Sequence, residues 1–256
     1  MKRLLVLAAV VSAAIAAFAA APAHSIIGGK PDGGAHPYVG AVLSPYGLCT
    51  GTKVAENYVL TAAHCMPPLS PALVVFNEDA RFAMGGPGPF EPPMVVFGTF
   101  IPHPGWCPGC SGGVPGIDTR DVALIHVPNG VPGPTAALPA LGFADRLAQR
   151  QVVTSVGYGV RLKPKDVTTE FGERYTVEHT VNPGNGPIGG EYLKLSAARG
   201  GVCAGDSGGP TLIGDTIVGL TAFSVNPNCA GNTYAQRIDI APVRSFIDAV
   251  LAGARP

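Results

Sequence analysis

The chain has 256 residues, long enough to bury a substantial core as one large domain or two subdomains. With 46% hydrophobic residues, 13% charged, 35 glycines and 26 prolines, it reads as a turn-rich, largely β protein and not a disordered one. The 17 basic and 17 acidic residues cancel, which argues against nucleic acid or an anionic membrane surface as partner.

Residues 1–25 stand apart. Lys2 and Arg3 precede an apolar, alanine-rich run from Leu4 to Ala21 that ends in small residues. A basic start, apolar middle and small-residue exit describe a secretory signal peptide better than a membrane anchor. Cleavage after Ala23 leaves a His24-Ser25 pro-dipeptide, and cleavage after Ser25 exposes Ile26 directly. The product is expected to be secreted and extracellular, free of the membrane, with a net charge of −2 once Lys2 and Arg3 are gone. Six cysteines follow, at 49, 65, 107, 110, 203 and 229; an even count in an exported chain suggests disulfides, with the pairing open. Cys107 and Cys110 have zinc-like spacing, but no second ligand pair is near in sequence, so a local bridge is the better reading.

Short runs rich in Val, Ile, Phe, Tyr and Thr, separated by Gly, Pro, Asn and Asp, predict strands near 38–43, 51–54, 58–61, 72–76, 94–100 and 122–127. Residues 102–118 form a Pro/Gly-rich insert, and 129–140 a linker between an N-terminal half (26–128) and a C-terminal half (141–240). The second half repeats the style, near 151–157, 174–181, 191–195, 210–213, 216–223 and 233–238. This spacing suggests a sandwich or barrel and not βαβ units. At 241–256, Val243, Phe246, Ile247, Val250 and Leu251 share one helical face, with Pro242 suited to the first turn.

The chemistry centres on Cys203-Ala204-Gly205-Asp206-Ser207-Gly208-Gly209-Pro210. Glycines on both sides let the backbone turn sharply, and the amides of Gly205 and Ser207 can point together at an oxygen that gains charge. A serine hydroxyl is a weak nucleophile and needs a base, which in turn needs an orienting group. Of the six histidines, His24 sits at the signal exit, and His36 and His103 each precede a proline in a turn. His126 ends an apolar strand and His179 lies mid-strand with charged neighbours. Structural or surface roles suit these five. His64 differs, since Val59-Leu60-Thr61-Ala62-Ala63-His64-Cys65 runs a strand into small residues and a cysteine able to pin the turn.

Ile26-Ile27-Gly28-Gly29, Thr61-Ala62-Ala63-His64-Cys65, Asp121-Val122-Ala123-Leu124-Ile125 and Gly205-Asp206-Ser207-Gly208-Gly209-Pro210 together resemble the trypsin/chymotrypsin-like serine peptidases. The likeness spans about residues 26–250 and implies an all-β fold. Two orthogonal six-stranded antiparallel β-barrels would flank the active-site cleft, with a C-terminal α-helix. It implies Ser207 as nucleophile, His64 as base and then acid, and Asp121 as the group fixing the imidazole tautomer. Asp118 is a rival acid, but only Asp121 directly precedes the apolar strand. The G-x-S-x-G pattern also marks α/β-hydrolases, whose triad histidine follows the serine; no histidine follows Ser207 here.

The resemblance further implies an ion pair between a freed Ile26 amine and Asp206. It implies bridges Cys49–Cys65 and Cys203–Cys229, whereas Cys107–Cys110 matches no familiar family bridge. Gly201 would stand at the base of the specificity pocket, where trypsin-type members carry an aspartate, with Ser224 and Asn232 as wall positions. This points to cleavage after apolar or small residues and not after Arg or Lys. Glu78, Asp79 and Glu91 read as a solvated acidic turn, not a calcium loop. No metal or cofactor is expected; the partners are protein or peptide substrates, and the chain is expected to act as a monomer.

Overall fold

The computed structural model describes residues 28–86, 94–107, 120–160, 170–182, 190–196, 200–224, 226, 229 and 231–254. A two-residue strand, β1 (Lys30–Pro31), comes first. Six further strands follow: β2 (Val39–Ser44), β3 (Gly47–Ala55), β4 (Tyr58–Thr61), β5 (Pro71–Val75), β6 (Val95–Pro102) and β7 (Ala123–His126). Alternating side chains give each strand an inner face, where Val42, Val59, Val74, Phe100 and Ile125 form one buried cluster. The strands pair antiparallel in the ring β2-β3-β4-β7-β6-β5, a closed barrel without a free edge. Gly51 faces Gly40 across β2 and β3. A Cβ at Gly51 would lie 2.7 Å from the Val59 side chain, so the barrel closes there only around a bare backbone.

The second half comprises β8 (Val152–Gly157), β9 (Tyr175–Val181), β10 (Tyr192–Ser196), β11 (Pro210–Ile213), β12 (Thr216–Ser224) and β13 (Asn232–Arg237). Their pairings run β8-β9-β10-β13-β12-β11 and return from β11 to β8, closing a second six-stranded antiparallel barrel; β1 adds to it beside β9. The helix α1 (Ala241–Leu251) has proline in its first turn and buries Val243, Phe246, Ile247 and Val250. These join Tyr38, Leu124, Ile217 and Leu220, from both barrels, in one core cluster. Each such side chain contributes about 1.5–3 kcal/mol when withdrawn from water. The fold is therefore the double barrel with a C-terminal helix implied by the resemblance.

Polar contacts lock the two barrels as well. Arg174, just before β9, donates through Nη1 to the carbonyls of Val39 and Phe76 in the first barrel and to the Tyr158 hydroxyl, and through Nε to Asp32. Between the barrels the Ala136 amide donates to Lys53 and the Ala137 amide to Asp215, so the segment at 129–140 touches both.

Two differences from the sequence reading are local. β3 starts at Gly47 and not near 51, because the β2–β3 hairpin pairs through Ser44 and Gly47, a register set by the turn. β1 has no strand signal of its own; pairing to β9 supplies the order that a Gly/Pro-rich stretch lacks.

Candidate active site

β4 runs out at Thr61 into a single 3₁₀ turn, Ala63–Cys65, which carries His64. Ala62 and Ala63 are fully buried, so only small side chains fit beneath the histidine. The Cys49–Cys65 disulfide ties the turn back to β3. Asp121 stands two residues before β7, and pairing of Thr61 with Ala123 brings it alongside the turn.

The carboxylate grips His64 twice. Asp121 Oδ1 accepts the His64 backbone N–H at 2.9 Å, and Oδ2 lies 2.6 Å from the imidazole Nδ1. The Asp121 amide is held in turn by Gln236 Oε1 at 3.2 Å, from β13 of the second barrel. With the Nδ1 proton directed at a carboxylate, Nε2 is left as the basic nitrogen. Burial of the ring disfavours its cation, but the hydrogen bond and charge of Asp121 more than offset this and hold His64 above its usual range. The His64 side chain is still 37% exposed, open enough for a substrate to reach it.

Ser207 lies in the turn leading into β11, and that turn docks onto the first barrel. The Thr50 amide donates to the Ser207 carbonyl at 2.8 Å, and Thr50 Oγ1 donates to the Gly205 carbonyl at 2.8 Å. Gly208, at φ +78°, makes the approach possible: a Cβ there would sit 2.2 Å from Thr61 Oγ1 and 2.6 Å from the Ala62 amide nitrogen. The serine turn thus abuts the segment that delivers His64. The Cys65 sulfur is 3.9 Å from the Ser207 carbonyl oxygen and within 4.8 Å of a His64 ring nitrogen. Among the described residues no hydrogen bond joins the Ser207 hydroxyl to the imidazole. Nor do the Gly205 and Ser207 amides donate to any described acceptor, so both are free for a ligand.

Asp206 is fully buried. Its Oδ1 accepts the Gly159 amide and its Oδ2 the Cys203 amide, both at 2.8 Å. A Cβ at Gly157 or Gly159 would come within 2.2 Å or 2.5 Å of its carboxyl atoms, so the two glycines form a cradle that a larger residue would fill. Burial pushes its pKa up to about 7 despite the two amides, which pull the other way. No Lys, Arg or His pairs with it among the described residues. Ile26, the partner implied by the resemblance, lies outside them.

Beside Ser207 is a recess of about 300 Å³ lined by Ala204, Ala222, Phe223, Ser224 and Cys229, with no charged side chain among the described residues. Phe223 stacks on Tyr234 at 4.8 Å and meets Tyr192 edge-on at 5.5 Å, forming a rigid aromatic wall. Ser224 is among the residues lining the recess. Gly201 is buried, and a Cβ there would meet the Cys229 carbonyl oxygen at 2.3 Å, leaving no room for a longer side chain. Asn232 opens β13, opposite Ser196.

Of the other cysteines, Cys203 and Cys229 are bonded, and Cys107 is disulfide-bonded; Cys110 lies outside the described residues. Cys49, His64 and Cys65 converge, but thiols consumed in a disulfide are not metal ligands. In the acidic turn Glu78 accepts the Gly33 amide and Asp79 is paired with Arg81. Glu91, like Asp118, lies outside the described residues.

The other described histidines are structural, and His24 lies outside the described residues. His36 pairs with Asp32 at 2.5 Å, His103 packs on Phe246, and His126 lies against Tyr58. His179, whose sequence neighbours are charged, is instead only 1% exposed, with neither ring nitrogen hydrogen-bonded. Burial depresses its pKa to about 4. Thr50, Gln236 and the Gly157–Gly159 cradle also belong to the site, and no local motif announced them.

The family model described as Trypsin matches residues 26–247. Serine protease SP24D of Anopheles gambiae is 28% identical over 207 residues, 78% of this chain and 72% of that protein. Neutrophil elastase of Mus musculus is 26% identical over 231 residues, 88% and 81% of the respective chains. Among solved structures, human heparin binding protein aligns with a TM-score of 0.68 at 20% identity, covering 90% of this chain and 98% of that one. Mouse neuropsin, a serine protease, aligns with a TM-score of 0.66 at 20% identity, covering 87% and 96%.

Proposed function

Because this chain belongs to the trypsin family of serine proteases, we propose that it is a secreted serine endopeptidase that cleaves proteins or peptides through an acyl-enzyme. The observation that carries the reading is the double grip of Asp121 on His64, which fixes the tautomer and leaves Nε2 basic beside the serine turn. In this mechanism Ser207 Oγ attacks the scissile carbonyl carbon while His64 Nε2 takes its proton. The free amides of Gly205 and Ser207 receive the oxyanion. The imidazolium returns the proton to the leaving amine as the C–N bond breaks, and water repeats the sequence to release the acid.

Residues 1–25 act as the export signal, and 26–256 form the peptidase domain. Freeing the Ile26 amine supplies the cation that the buried Asp206 lacks among its described neighbours. The pairing orders the serine turn and brings Oγ to the imidazole. The uncharged 300 Å³ recess takes an apolar or small side chain on the acyl side of the bond. The likeness to heparin binding protein carries the fold alone, and a chain with 17 basic against 17 acidic residues shows no excess positive charge for a polyanion.

The test is active-site labelling of protein whose N-terminus is Ile26. A fluorophosphonate or sulfonyl fluoride is expected to modify Ser207 stoichiometrically and to leave Ser207→Ala unlabelled. Absence of labelling in the processed protein would refute catalysis. Ester substrates carrying Ala, Leu or Phe are expected to turn over faster than their Arg counterparts; the reverse order would refute the specificity.

A further inference from the structure

The carboxylate of Asp121 is held by His64, but its backbone is less well anchored. Asp121 sits at the centre of a three-residue turn in which the Val122 amide donates to the Arg120 carbonyl at 2.8 Å. Arg120 enters that turn at φ +45°, in the left-handed region that residues other than glycine rarely adopt. A turn of this kind keeps its shape only where the surroundings over-determine it. Neither feature holds the Asp121 amide itself. Its one acceptor among the described residues is Gln236 Oε1, at 3.2 Å and 115 positions along the chain.

Gln236 is held so as to present that oxygen. The residue is fully buried, and its Nε2 donates to the carbonyls of Glu191 at 3.1 Å and Arg237 at 3.3 Å. Carbonyls can meet only the NH₂, and a backbone N–H only the oxygen, so the side-chain amide has a single orientation. Gln236 thus commits its NH₂ to the second barrel and its oxygen to the first. Strand register ties it to the serine turn as well. Gln236 is directly opposite Leu220, and Leu220 is directly opposite Pro210, which opens β11 just after Ser207-Gly208-Gly209. One row across β13, β12 and β11 therefore runs from the group that holds Asp121 to the strand that follows Ser207.

We propose that Gln236 is a positioning residue for the reaction, a strut from the second barrel that fixes the Asp121 backbone so that its carboxylate meets both the His64 amide and Nδ1. The proposal rests on the serine protease reading and adds to it a residue that acts only through Asp121. Without the strut the peptide between Arg120 and Asp121 is free to turn and Arg120 relaxes from its left-handed setting. The carboxylate then no longer spans the His64 backbone N–H at 2.9 Å and Nδ1 at 2.6 Å together. Displacements of about 1 Å caused far from the reacting atoms can lower a rate by about 100-fold.

The test is Gln236→Met in protein that begins at Ile26. Methionine keeps the length of the side chain and removes its oxygen and NH₂. On ester substrates kcat is expected to fall by about 10- to 100-fold, with KM within about twofold of wild type. The acid limb of the kcat/KM profile moves to lower pH, because the Asp121 contacts that raise His64 are weakened. In an Asp121→Asn background the same change is expected to cost little more, since a residue acting through Asp121 has nothing left to act on. Val250→Ala loosens the core shared by the two barrels away from the site and is expected to leave the acid limb in place.

A kcat near that of wild type, an acid limb that stays put or moves equally in Val250→Ala, or an undiminished loss in the Asp121→Asn background overturns the proposal. Gln236→Asn keeps the amide but withdraws it by one methylene; it is expected to follow the same pattern and replaces the methionine variant if that does not fold. Failure of both to fold overturns a positioning role in favour of a structural one. If wild type turns over no ester, the serine protease reading fails by itself. The titration of the His64 imidazole, followed by NMR and assigned by its absence in His64→Ala, then decides the strut. A lower pKa in Gln236→Met alone supports it; an unmoved pKa, or an equal movement in Val250→Ala, overturns it.

Discussion

Asp206 offers the sharpest test of how this site is switched on. In chain that retains residues before Ile26, its carboxyl titrates near 7 in the fold against an ordinary value of 3.8. Between those values the folded state binds the extra proton, so stability is greatest below the unfolded value and falls as pH rises through 7. A displacement of about three pKa units corresponds to about 4 kcal/mol. Asp206→Asn removes this dependence at a fixed cost. Its amide oxygen still accepts one of the two N–H groups, from Gly159 or Cys203, but its NH₂ opposes the other, a loss of about 1–3 kcal/mol. The variant is therefore expected to be less stable than wild type at pH 4, near the unfolded value, and more stable at pH 9.

Urea midpoints of both proteins at the two pH values measure this directly. Taking the difference cancels other titrations, such as that of His179, which are common to both. In chain that begins at Ile26 the sign reverses, because an ammonium group beside Asp206 favours its ionised form and wild type gains at high pH. A difference that does not vary with pH in the extended chain would refute the buried, unpaired carboxyl. Identical behaviour of the two chain forms would refute Ile26 as the partner.

Asp121→Asn is expected to lower ester turnover by about 10⁴, the order this change costs in serine proteases. It also moves the acid limb of the kcat/KM profile to lower pH, because the contacts that raise His64 are lost. His179 titrates near 4 in the fold against an ordinary value of 6.5, so its contribution is complete above 6.5 and declines as pH falls through 4. Replacing it with Leu is expected to remove about 3 kcal/mol of acid sensitivity between pH 6.5 and 4, read from urea melts. Arg174→Met strips the buried Asp32 of its guanidinium partner. It is expected to cost about 3–5 kcal/mol in chemical denaturation. Replacing Cys203 and Cys229 together by Ser opens a loop of 26 residues and is expected to cost about 3–4 kcal/mol in the same assay.

Which of these features could be read from sequence follows from how local their causes are. Tyr58–Thr61 and the helix at Ala241–Leu251 were legible because their own periodicity and punctuation suffice. His64 and Asp121 were legible through their motifs, although they are 57 positions apart. Arg174 was not: its partner Asp32 is 142 positions away, and nothing around either residue marks the pair. β1 takes its order wholly from β9. His179 carried a usable signal, since Tyr175, Val177 and His179 alternate on β9 and the first two are buried apolar residues. A strict period of two puts the histidine inside with them, whatever the charge of its neighbours.

The candidate site is divided between the two barrels. Most of what orients the proposed base belongs to the first barrel: the alanine-floored turn, its disulfide to β3, and the Thr61–Ala123 pairing that places Asp121, with Gln236 of the second barrel holding the Asp121 amide. Ser207, the proposed nucleophile, approaches from the second barrel, and two sets of contacts position its turn. One is the set of Thr50 contacts to the carbonyls of Ser207 and Gly205, and it is present already. The other is Asp206, one residue before Ser207, buried in a glycine cradle with two amides but no described cation. In the proposed mechanism the Ser207 hydroxyl has still to come within hydrogen-bond reach of the imidazole. A single charge at Asp206 acts on the one residue adjacent to the nucleophile, where it can drive that step without disturbing the His64–Asp121 pair.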